Sequence, residues 1–304
     1  MRRSPGAGVG WGFSFLVDRF NRFVMNSSAK ILRDRLKGSA MVLAPFVFDA
    51  LQAKVAEQVG FDAVYMTGFG TAAARGFPDL GLLTMSEMVE NVRAIARSIR
   101  IPVICDADTG YGNPTNVWRT VREYEHAGAA ALHIEDQVWP KRCGFLTGKQ
   151  VIPMNEMVPK VRAACDARSN PDTVIIARTD ALAVNGWDDV VRRANAYRDA
   201  GADLIFVDGI RTVEDLENYA SKLSGLPLLY NGQLKPAPEL ARYGFKLTIH
   251  TASFLAVYRS IRDAMRELKQ TGSISRTSMD DEFRELIQLL GVEEMDALGK
   301  KYNS

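Results

Sequence analysis

The sequence predicts a closed (β/α)₈ barrel, because eight short apolar runs alternate with segments of helical periodicity. Four of these runs close a repeated unit in which a helical stretch ends at glycine and a strand follows at once. The four copies span residues 59–65, 127–133, 200–206 and 243–249. Four further runs that are apolar enough for a strand buried on both faces span residues 42–44, 102–105, 173–177 and 226–229.

The elements between the strands have the periodicity of amphipathic helices. The predicted helices span residues 86–99, 115–126, 156–168, 187–200 and 213–223. Thr84 and Asn113 stand where N-cap residues are expected, and the glycines of the repeated unit stand at C-caps. An open doubly wound sheet is the alternative fold, but the first strand is followed by neither a G-x-G-x-x-G fingerprint nor a P-loop.

Three segments fall outside the repeat. Residues 1–27 form an arginine-bearing N-terminal extension. Three interpretations of it remain: a transit peptide, translation from a start codon upstream of Met25, and a short segment that packs on the barrel. Residues 28–275 would form the barrel, with residues 137–153 as a mobile lid loop at one βα junction. Residues 276–304 would form a C-terminal helical tail.

Composition restricts the partners of the chain. Its 304 residues carry a net charge of +2, too small to recruit nucleic acid or an anionic membrane. No apolar run approaches the roughly 18 residues of a membrane-spanning helix. The three cysteines, Cys105, Cys143 and Cys165, show no disulfide or metal spacing. We therefore expect a cytoplasmic protein that acts on a small molecule.

Polar residues gather directly after the predicted strands, where barrel enzymes place their chemistry. Asp106 and Asp108 follow the third strand and Glu135 the fourth. Each could simply cap a helix, but carboxylates that converge in one mouth repel each other and favour a hard divalent cation. An all-oxygen ligand set predicts Mg²⁺, with Mn²⁺ as an alternative. Arg178, on the next strand, is then suited to bind a substrate carboxylate.

The predicted lid contains a cysteine flanked by cations. Lys141 and Arg142 precede Cys143 and would lower the pKa of its thiol, and a lid position suits an acid/base group that closes over a substrate. An exposed loop cysteine without a role is the alternative. His133 lies on the same strand face as Glu135, where it would contact the substrate or pack in the barrel.

Five motifs occur together in the chain: Phe77-Pro78-Asp79-Leu80-Gly81, Asp106-Ala107-Asp108-Thr109-Gly110-Tyr111-Gly112, His133-Ile134-Glu135-Asp136-Gln137, Lys141-Arg142-Cys143-Gly144 and Ala177-Arg178-Thr179-Asp180. Together they resemble the isocitrate lyase/phosphoenolpyruvate mutase superfamily. Within it, the likeness is greatest to members of the 2-methylisocitrate lyase, 2,3-dimethylmalate lyase and carboxyphosphonoenolpyruvate mutase types. The resemblance covers roughly residues 28 to 290.

The resemblance implies a role for each motif residue. Asp106 would bind Mg²⁺ directly, while Asp79, Asp108 and Glu135 would hold its waters. Tyr65 would take the proton of the substrate hydroxyl, and Cys143 would protonate the carbanion left after cleavage. The substrate would contact the backbone amides of the Thr67-Gly68 element, with Arg178 beside them, and a further set of residues, Phe69, His133, Gly144, Asp208 and Asn231.

The activity that the resemblance implies is Mg²⁺-dependent cleavage of a 2-hydroxy di- or tricarboxylate to an α-keto acid and a carboxylic acid. It also implies a homotetramer, a dimer of dimers, in which the last barrel helix is exchanged between subunits. Three positions depart from the lyase pattern: Phe145 replaces a histidine, Asp208 replaces a glutamate, and residues 229–233 differ around Asn231. Oxaloacetate decarboxylation or hydrolysis and P–C bond chemistry therefore remain alternatives, as does an idle barrel that only binds.

Overall fold

The computed structural model describes residues 28–275, 278 and 280–303. Its eight strands are all parallel and close into a barrel in chain order. The predicted (β/α)₈ barrel is thereby confirmed. The strands are β1 (Val42–Val47), β2 (Val64–Met66), β3 (Val103–Asp106), β4 (Ala131–Glu135), β5 (Val174–Thr179), β6 (Leu204–Val207), β7 (Leu228–Asn231) and β8 (Phe245–His250).

Helices surround the barrel and continue beyond it. A helix over residues 28–37, α1, precedes β1. The others are α2 (Ala50–Val59), α3 (Gly68–Ala74), α4 (Met85–Ser98), α5 (Pro114–Ala127), α6 (Met154–Ala167), α7 (Leu182–Asn185), α8 (Trp187–Asp199), α9 (Val213–Lys222), α10 (Ala237–Arg242), α11 (Ala252–Thr271), α12 (Asp281–Leu290) and α13 (Val292–Tyr302). The five helices predicted from periodicity lie within two residues of these bounds.

Local sequence signals fix where elements begin and end. Thr84 and Asn113 cap α4 and α5, each within a reciprocal capping box. Gly128 ends α5 at φ +107°, a conformation that lacks a Cβ clash only for glycine. The seventh strand was predicted two residues early, because Pro227 lacks the N–H that a strand position inside a sheet must donate.

Apolar side chains fill two layers, one on each face of the barrel wall. The inner layer lies inside the barrel and includes Ile104, Ile176, Phe206 and Leu247. The outer layer packs the other strand face against the surrounding helices. Burial of both strand faces explains why the strands are continuous apolar runs rather than alternating ones.

The base of the lid is a short antiparallel pairing. Gln137 and Val151 form a bridge, and the Val138 amide donates to the Gln150 carbonyl. The loop between them reaches over the carboxyl end of the barrel. The mobility of the lid and the domain limits given above stay predictions, and residues 1–27 lie outside the described part of the chain. In that described part, no helix is long and apolar enough to cross a membrane.

One buried carboxylate ties α5 to the loop before β5. Glu125 accepts hydrogen bonds from the amide and hydroxyl of Ser169, at 2.8 and 2.6 Å, from the Asn170 amide, and from the Thr173 hydroxyl at 2.7 Å. Its burial makes each lost partner costly, since four donors would be left without an acceptor.

We predict that Glu125→Ala lowers the free energy of unfolding by about 2–3 kcal/mol, because several hydrogen bonds to one charged group are removed together. Urea denaturation measures the change. Glu123→Ala is the matched control on the same helix; Glu123 makes a partly exposed pair with Arg119 at 3.7 Å and should cost less than about 1 kcal/mol. Equal losses in both variants would contradict the role assigned to Glu125.

Candidate active site

The predicted site residues meet at the carboxyl end of the barrel. Strand register makes neighbours of Asp106 and His133, and likewise of Glu135 and Arg178. Tyr65 and Thr67 come from the end of β2, Asp208 follows β6, and Asn231 ends β7. The structure therefore brings together the side chains that sequence order had placed at separate strand ends.

Asp106 is the centre of the acidic cluster. Its Oδ1 accepts from the Asp108 amide at 2.9 Å, and its Oδ2 accepts from the Gly68 amide at 3.2 Å. Asp106, His133 and Glu135 each offer one atom that could bind a metal ion, and these three atoms lie within 4.8 Å of one another. Among the described residues, neither Glu135 oxygen makes a hydrogen bond, although Arg178 Nη1 lies 3.1 Å from Oε2. Buried Glu135 oxygens that accept no hydrogen bond and lie beside Asp106 fit a divalent cation.

The other two predicted metal residues are bound by a lid residue that sequence reasoning did not select. The Lys141 ammonium contacts Asp79 and lies 2.8 Å from Asp108 Oδ1. Lys141 is buried, so its charge is fully engaged by these carboxylates. Lys141 is the first residue of the Lys141-Arg142-Cys143 motif, so the motif offers a signal for this role. From the sequence alone, Lys141 is interpreted only as a neighbour of the Cys143 thiol.

Burial and neighbouring charges give the acidic groups different pKa values. Burial alone would raise the pKa of Asp106, but His133, when it is protonated at low pH, together with Lys141 and Arg178 lowers it to about 2. Burial raises the pKa of Asp108 to about 6, and Asp106 adds to the rise. Burial also raises the pKa of Glu135 well above its usual value. Of these three carboxylates, Asp106 is thus the one most firmly held in its charged form.

Tyr65 and His133 form a hydrogen-bonded pair inside the barrel. The Tyr65 hydroxyl lies 2.7 Å from His133 Nε2 and 3.4 Å from Asp106 Oδ2. Burial raises the pKa of Tyr65 well above 10 and lowers that of His133 to about 4. Both groups are therefore neutral at pH 7, and the phenol donates to the imidazole. Because the Tyr65 hydroxyl is already protonated, it can accept a further proton only if its own proton passes to His133.

Arg178 is held by carboxylates on several sides. Its Nε and Nη2 donate to the two oxygens of Asp180 at 2.9 and 3.0 Å, and Nη2 lies 3.5 Å from Asp208. The lid residue Lys149 bridges the same two carboxylates, at 2.8 Å from Asp180 and 2.9 Å from Asp208. Lys149, which the sequence reasoning missed, is thus a second ammonium that the lid inserts into the site.

Cys143 lies at the site, but the sequence prediction about its acidity is wrong. Burial raises the pKa of the thiol to about 11, because the lowering effects of Lys141 and Arg178 are smaller than the loss of solvation. The ammonium of Lys141 is directed instead to Asp79 and Asp108, so that adjacency in sequence does not translate into stabilisation of a thiolate. The protonated thiol is the form that can donate a proton.

The cavity beneath the lid is small. It measures about 40 Å³, little more than the roughly 30 Å³ that one water occupies in the liquid. The Gly68 amide is taken by Asp106 and the Thr67 amide by the Val47 carbonyl, so these predicted carboxylate-binding amides are engaged here. The lining includes every other predicted substrate contact except His133: Phe69, Gly144, Arg178, Asp208 and Asn231. Substrate entry requires the lid to open.

Comparison with known proteins identifies the family of this chain. The family model of phosphoenolpyruvate phosphomutase matches residues 32–269. The chain is 42% identical to a 2,3-dimethylmalate lyase of Eubacterium barkeri, over 91% of this chain and 99% of the relative. It is 39% identical to a 2-methylisocitrate lyase of Aeropyrum pernix, over 88% and 89%.

The chain belongs to the phosphoenolpyruvate mutase/isocitrate lyase superfamily. The family resemblance predicted from five motifs is thereby confirmed, and the names of these two relatives support the predicted carbon–carbon lyase class. A solved oxaloacetate acetylhydrolase, bound to 3,3-difluorooxalacetate, also superposes with a TM-score of 0.86 at 35% identity, covering 92% of this chain and 98% of that one.

This superfamily member closes its lid through a glycine. A Cβ at Gly144 would collide with the Asp208 carboxylate, which Lys149 holds in place. Lys149 also donates to the Gly144 carbonyl at 3.1 Å. Only a residue without a side chain lets the lid approach Asp208 this closely.

We predict that Gly144→Ala holds the lid away from the barrel and increases tryptic cleavage after Arg142 severalfold, because the new methyl group overlaps Asp208. Mass spectrometry of timed digests quantifies that cleavage. Thr147→Ala, at an exposed position of the same lid, is the control and should leave cleavage unchanged. An unchanged digest of Gly144→Ala would contradict the closing contact.

We also predict that Cys143 reacts with iodoacetamide at pH 8 at least tenfold more slowly than an unperturbed cysteine, whose pKa is about 8.5. The reason is its pKa of about 11, which leaves little thiolate at pH 8. Peptide mapping follows the rate, which should keep rising toward pH 11. A rate that is fast and constant from pH 7 to 9 would instead restore the lowered pKa expected from the sequence.

Proposed function

We propose that this chain is a Mg²⁺-dependent carbon–carbon lyase that cleaves an alkyl-substituted 2-hydroxy dicarboxylate to an α-keto acid, such as pyruvate, and a carboxylic acid. One observation carries the proposal: the protonated thiol of Cys143 lines the same small cavity as Asp106 and Arg178. That cavity combines a carboxylate for a metal, a cation for a substrate carboxylate and a proton donor.

The acidic cluster supplies the metal end of the proposed site. Asp106 and Glu135 offer carboxylate oxygens to the ion, whereas His133, the third member of the cluster, serves here as a proton acceptor and not as a metal ligand. A bound Mg²⁺, or Mn²⁺ in its place, would stabilise negative charge that develops on the 2-hydroxy carboxylate of the substrate. Asp79 and Asp108 would hold water ligands once Lys141 releases them.

The remaining chemistry belongs to residues of the chain. Loss of the hydroxyl proton to Tyr65, which passes its own proton to His133 Nε2, lets the C2–O bond become a carbonyl. The C2–C3 bond breaks, and its electron pair stays on C3 beside the second carboxylate of the substrate. Cys143 then gives its proton to C3, while the closed lid keeps bulk water away.

The walls of the cavity favour alkyl groups over a third carboxylate. Four phenylalanines line it, Phe46, Phe69, Phe145 and Phe206, and Arg178 is the one cation among its lining residues in the described part of the chain. A tricarboxylate would place its extra charge against Asp208 and apolar rings, with a high desolvation cost. A substrate of the 2,3-dimethylmalate kind suits these walls better than one of the 2-methylisocitrate kind.

A hydrolase acting on oxaloacetate is the second candidate. The likeness to oxaloacetate acetylhydrolase supports it, as does Phe145, which removes a histidine of the lyase pattern. P–C bond chemistry would use the same metal end. Hydrolysis and decarboxylation of oxaloacetate also leave a carbanion or enolate that must be protonated, so the substrate that is turned over, rather than the need for a proton, distinguishes these activities from the lyase.

We also propose a homotetramer with exchanged C-terminal helices. The support is a row of exposed apolar side chains on α11, spaced by three or four residues along most of its length: Leu255, Tyr258, Ile261, Met265 and Leu268. Such a face is covered in most soluble proteins. Further exposed apolar residues lie on α12 and α13, among them Phe283 and Leu298.

The deciding experiment measures, with and without Mg²⁺, the release of α-keto acid from 2,3-dimethylmalate, 2-methylisocitrate, isocitrate and other alkylmalates, and the formation of oxalate, acetate or pyruvate from oxaloacetate. We expect Mg²⁺-dependent cleavage of an alkylmalate. Cys143→Ala should lower kcat at least a hundredfold, the usual contribution of a positioned acid. Cys165→Ala is the matched control, because burial raises its thiol pKa to about 11 as well, on α6.

Each outcome selects one function. Turnover of an alkylmalate that is lost only in the Cys143 variant supports the lyase. Turnover of oxaloacetate alone supports the second candidate: oxalate and acetate as products indicate the hydrolase, and pyruvate indicates the decarboxylase. Turnover of 2-methylisocitrate in preference to 2,3-dimethylmalate would contradict the argument from the aromatic walls.

A further inference from the structure

A second, larger cavity lies beside the catalytic one. It measures about 870 Å³ and is bounded by the loops that follow β2, β3 and β4 and by the first turns of α6. Its lining shares no residue with the catalytic cavity. This volume is within the range of roughly 300–1,000 Å³ that small-molecule sites occupy.

A buried lysine lines this cavity. Lys160, on α6, is only 6% exposed, and the described part of the chain gives it neither a hydrogen bond nor an ion pair. Burial lowers its pKa, while the fields of Glu135, Asp136 and Glu156 act in the opposite direction without reaching contact. An ammonium that is desolvated and unpaired is costly, and a bound anion would relieve that cost.

The rest of the lining suits an apolar body. Leu83, Tyr111 and Trp139 form the walls, and Asn155 and Thr109 add neutral polar groups. The carboxylate of Glu156 is exposed, so water screens it. We propose that this cavity binds a small organic anion, whose charged head pairs with Lys160 and whose apolar part packs on Leu83, Tyr111 and Trp139.

This site contacts the lid from outside the catalytic cavity. Gln137 and Ile152, at the two ends of the lid, both line it. The Gln137 side chain donates to the Arg142 carbonyl and accepts from the Arg142 amide, each at 2.9 Å, and so connects the cavity to the segment that carries Cys143. An occupant that prefers one lid position shifts the lid toward it, and lid closure changes the occupant's affinity by the same factor.

Hexanoate, with hexanol as its uncharged counterpart, tests the proposal by calorimetric titration of the full chain. We expect Lys160→Met to weaken hexanoate binding at least tenfold, as loss of a desolvated ion pair implies, and to leave hexanol binding unchanged. Lys160→Arg keeps the charge and should restore binding to within a few fold. Lys222→Met, at an exposed position on α9, is the control.

Three outcomes would overturn the proposal. Hexanoate that binds equally well to the wild type and to Lys160→Met is held elsewhere, for instance by Arg178. Hexanoate that does not bind the wild type shows that the cavity is closed in solution, for example by a second copy of the chain. Equal losses in the Lys160→Met and Lys160→Arg variants, with unchanged thermal unfolding, would mean that the shape of the lysine rather than its charge matters.

Discussion

Charge balance at the carboxyl end of the barrel is the constraint on which the rest of the site depends. Six carboxylates converge there, on Asp79, Asp106, Asp108, Glu135, Asp180 and Asp208. Three cations face them, on Lys141, Lys149 and Arg178. The excess of negative charge explains the suitability of the cluster for a divalent cation. Burial is the main cause of the raised pKa of Glu135, and the acidic neighbours Asp180 and Asp106 add to it.

The lid contributes two of those three cations, so its position and the electrostatics of the site change together. In this position of the lid, Lys141 lies against Asp79 and Asp108, and Lys149 lies against Asp180 and Asp208. Cys143 lines the same small cavity as Asp106 and Arg178. An open lid would leave the carboxylates without these partners, which favours entry of a metal and a substrate that supply charge of their own.

The two cavities contact different parts of the lid. The catalytic cavity lies under residues 143–145, whereas the larger cavity lies against the two ends of the lid. Asp136 explains why those ends are held so firmly: it accepts hydrogen bonds from Thr179, Arg193 and Tyr197, and its carbonyl accepts from the Ile152 amide. A fixed base with a loop that carries the chemistry is a common arrangement in barrel enzymes.

The sequence by itself determined the fold and indicated most of the side chains that meet at the carboxyl end of the barrel, but not Lys141 and Lys149. Buried strands appear in the sequence as apolar runs, and glycines and capping residues mark the helix ends. In a parallel barrel the carboxyl ends of all strands lie at the same end of the barrel. Only the tertiary structure decided which charges meet across that mouth. Lys141 and Lys149 reach carboxylates that are distant in sequence, and burial raises the pKa of Cys143 although two cations precede it. Desolvation and contacts between distant residues depend on the folded environment, which no local pattern encodes.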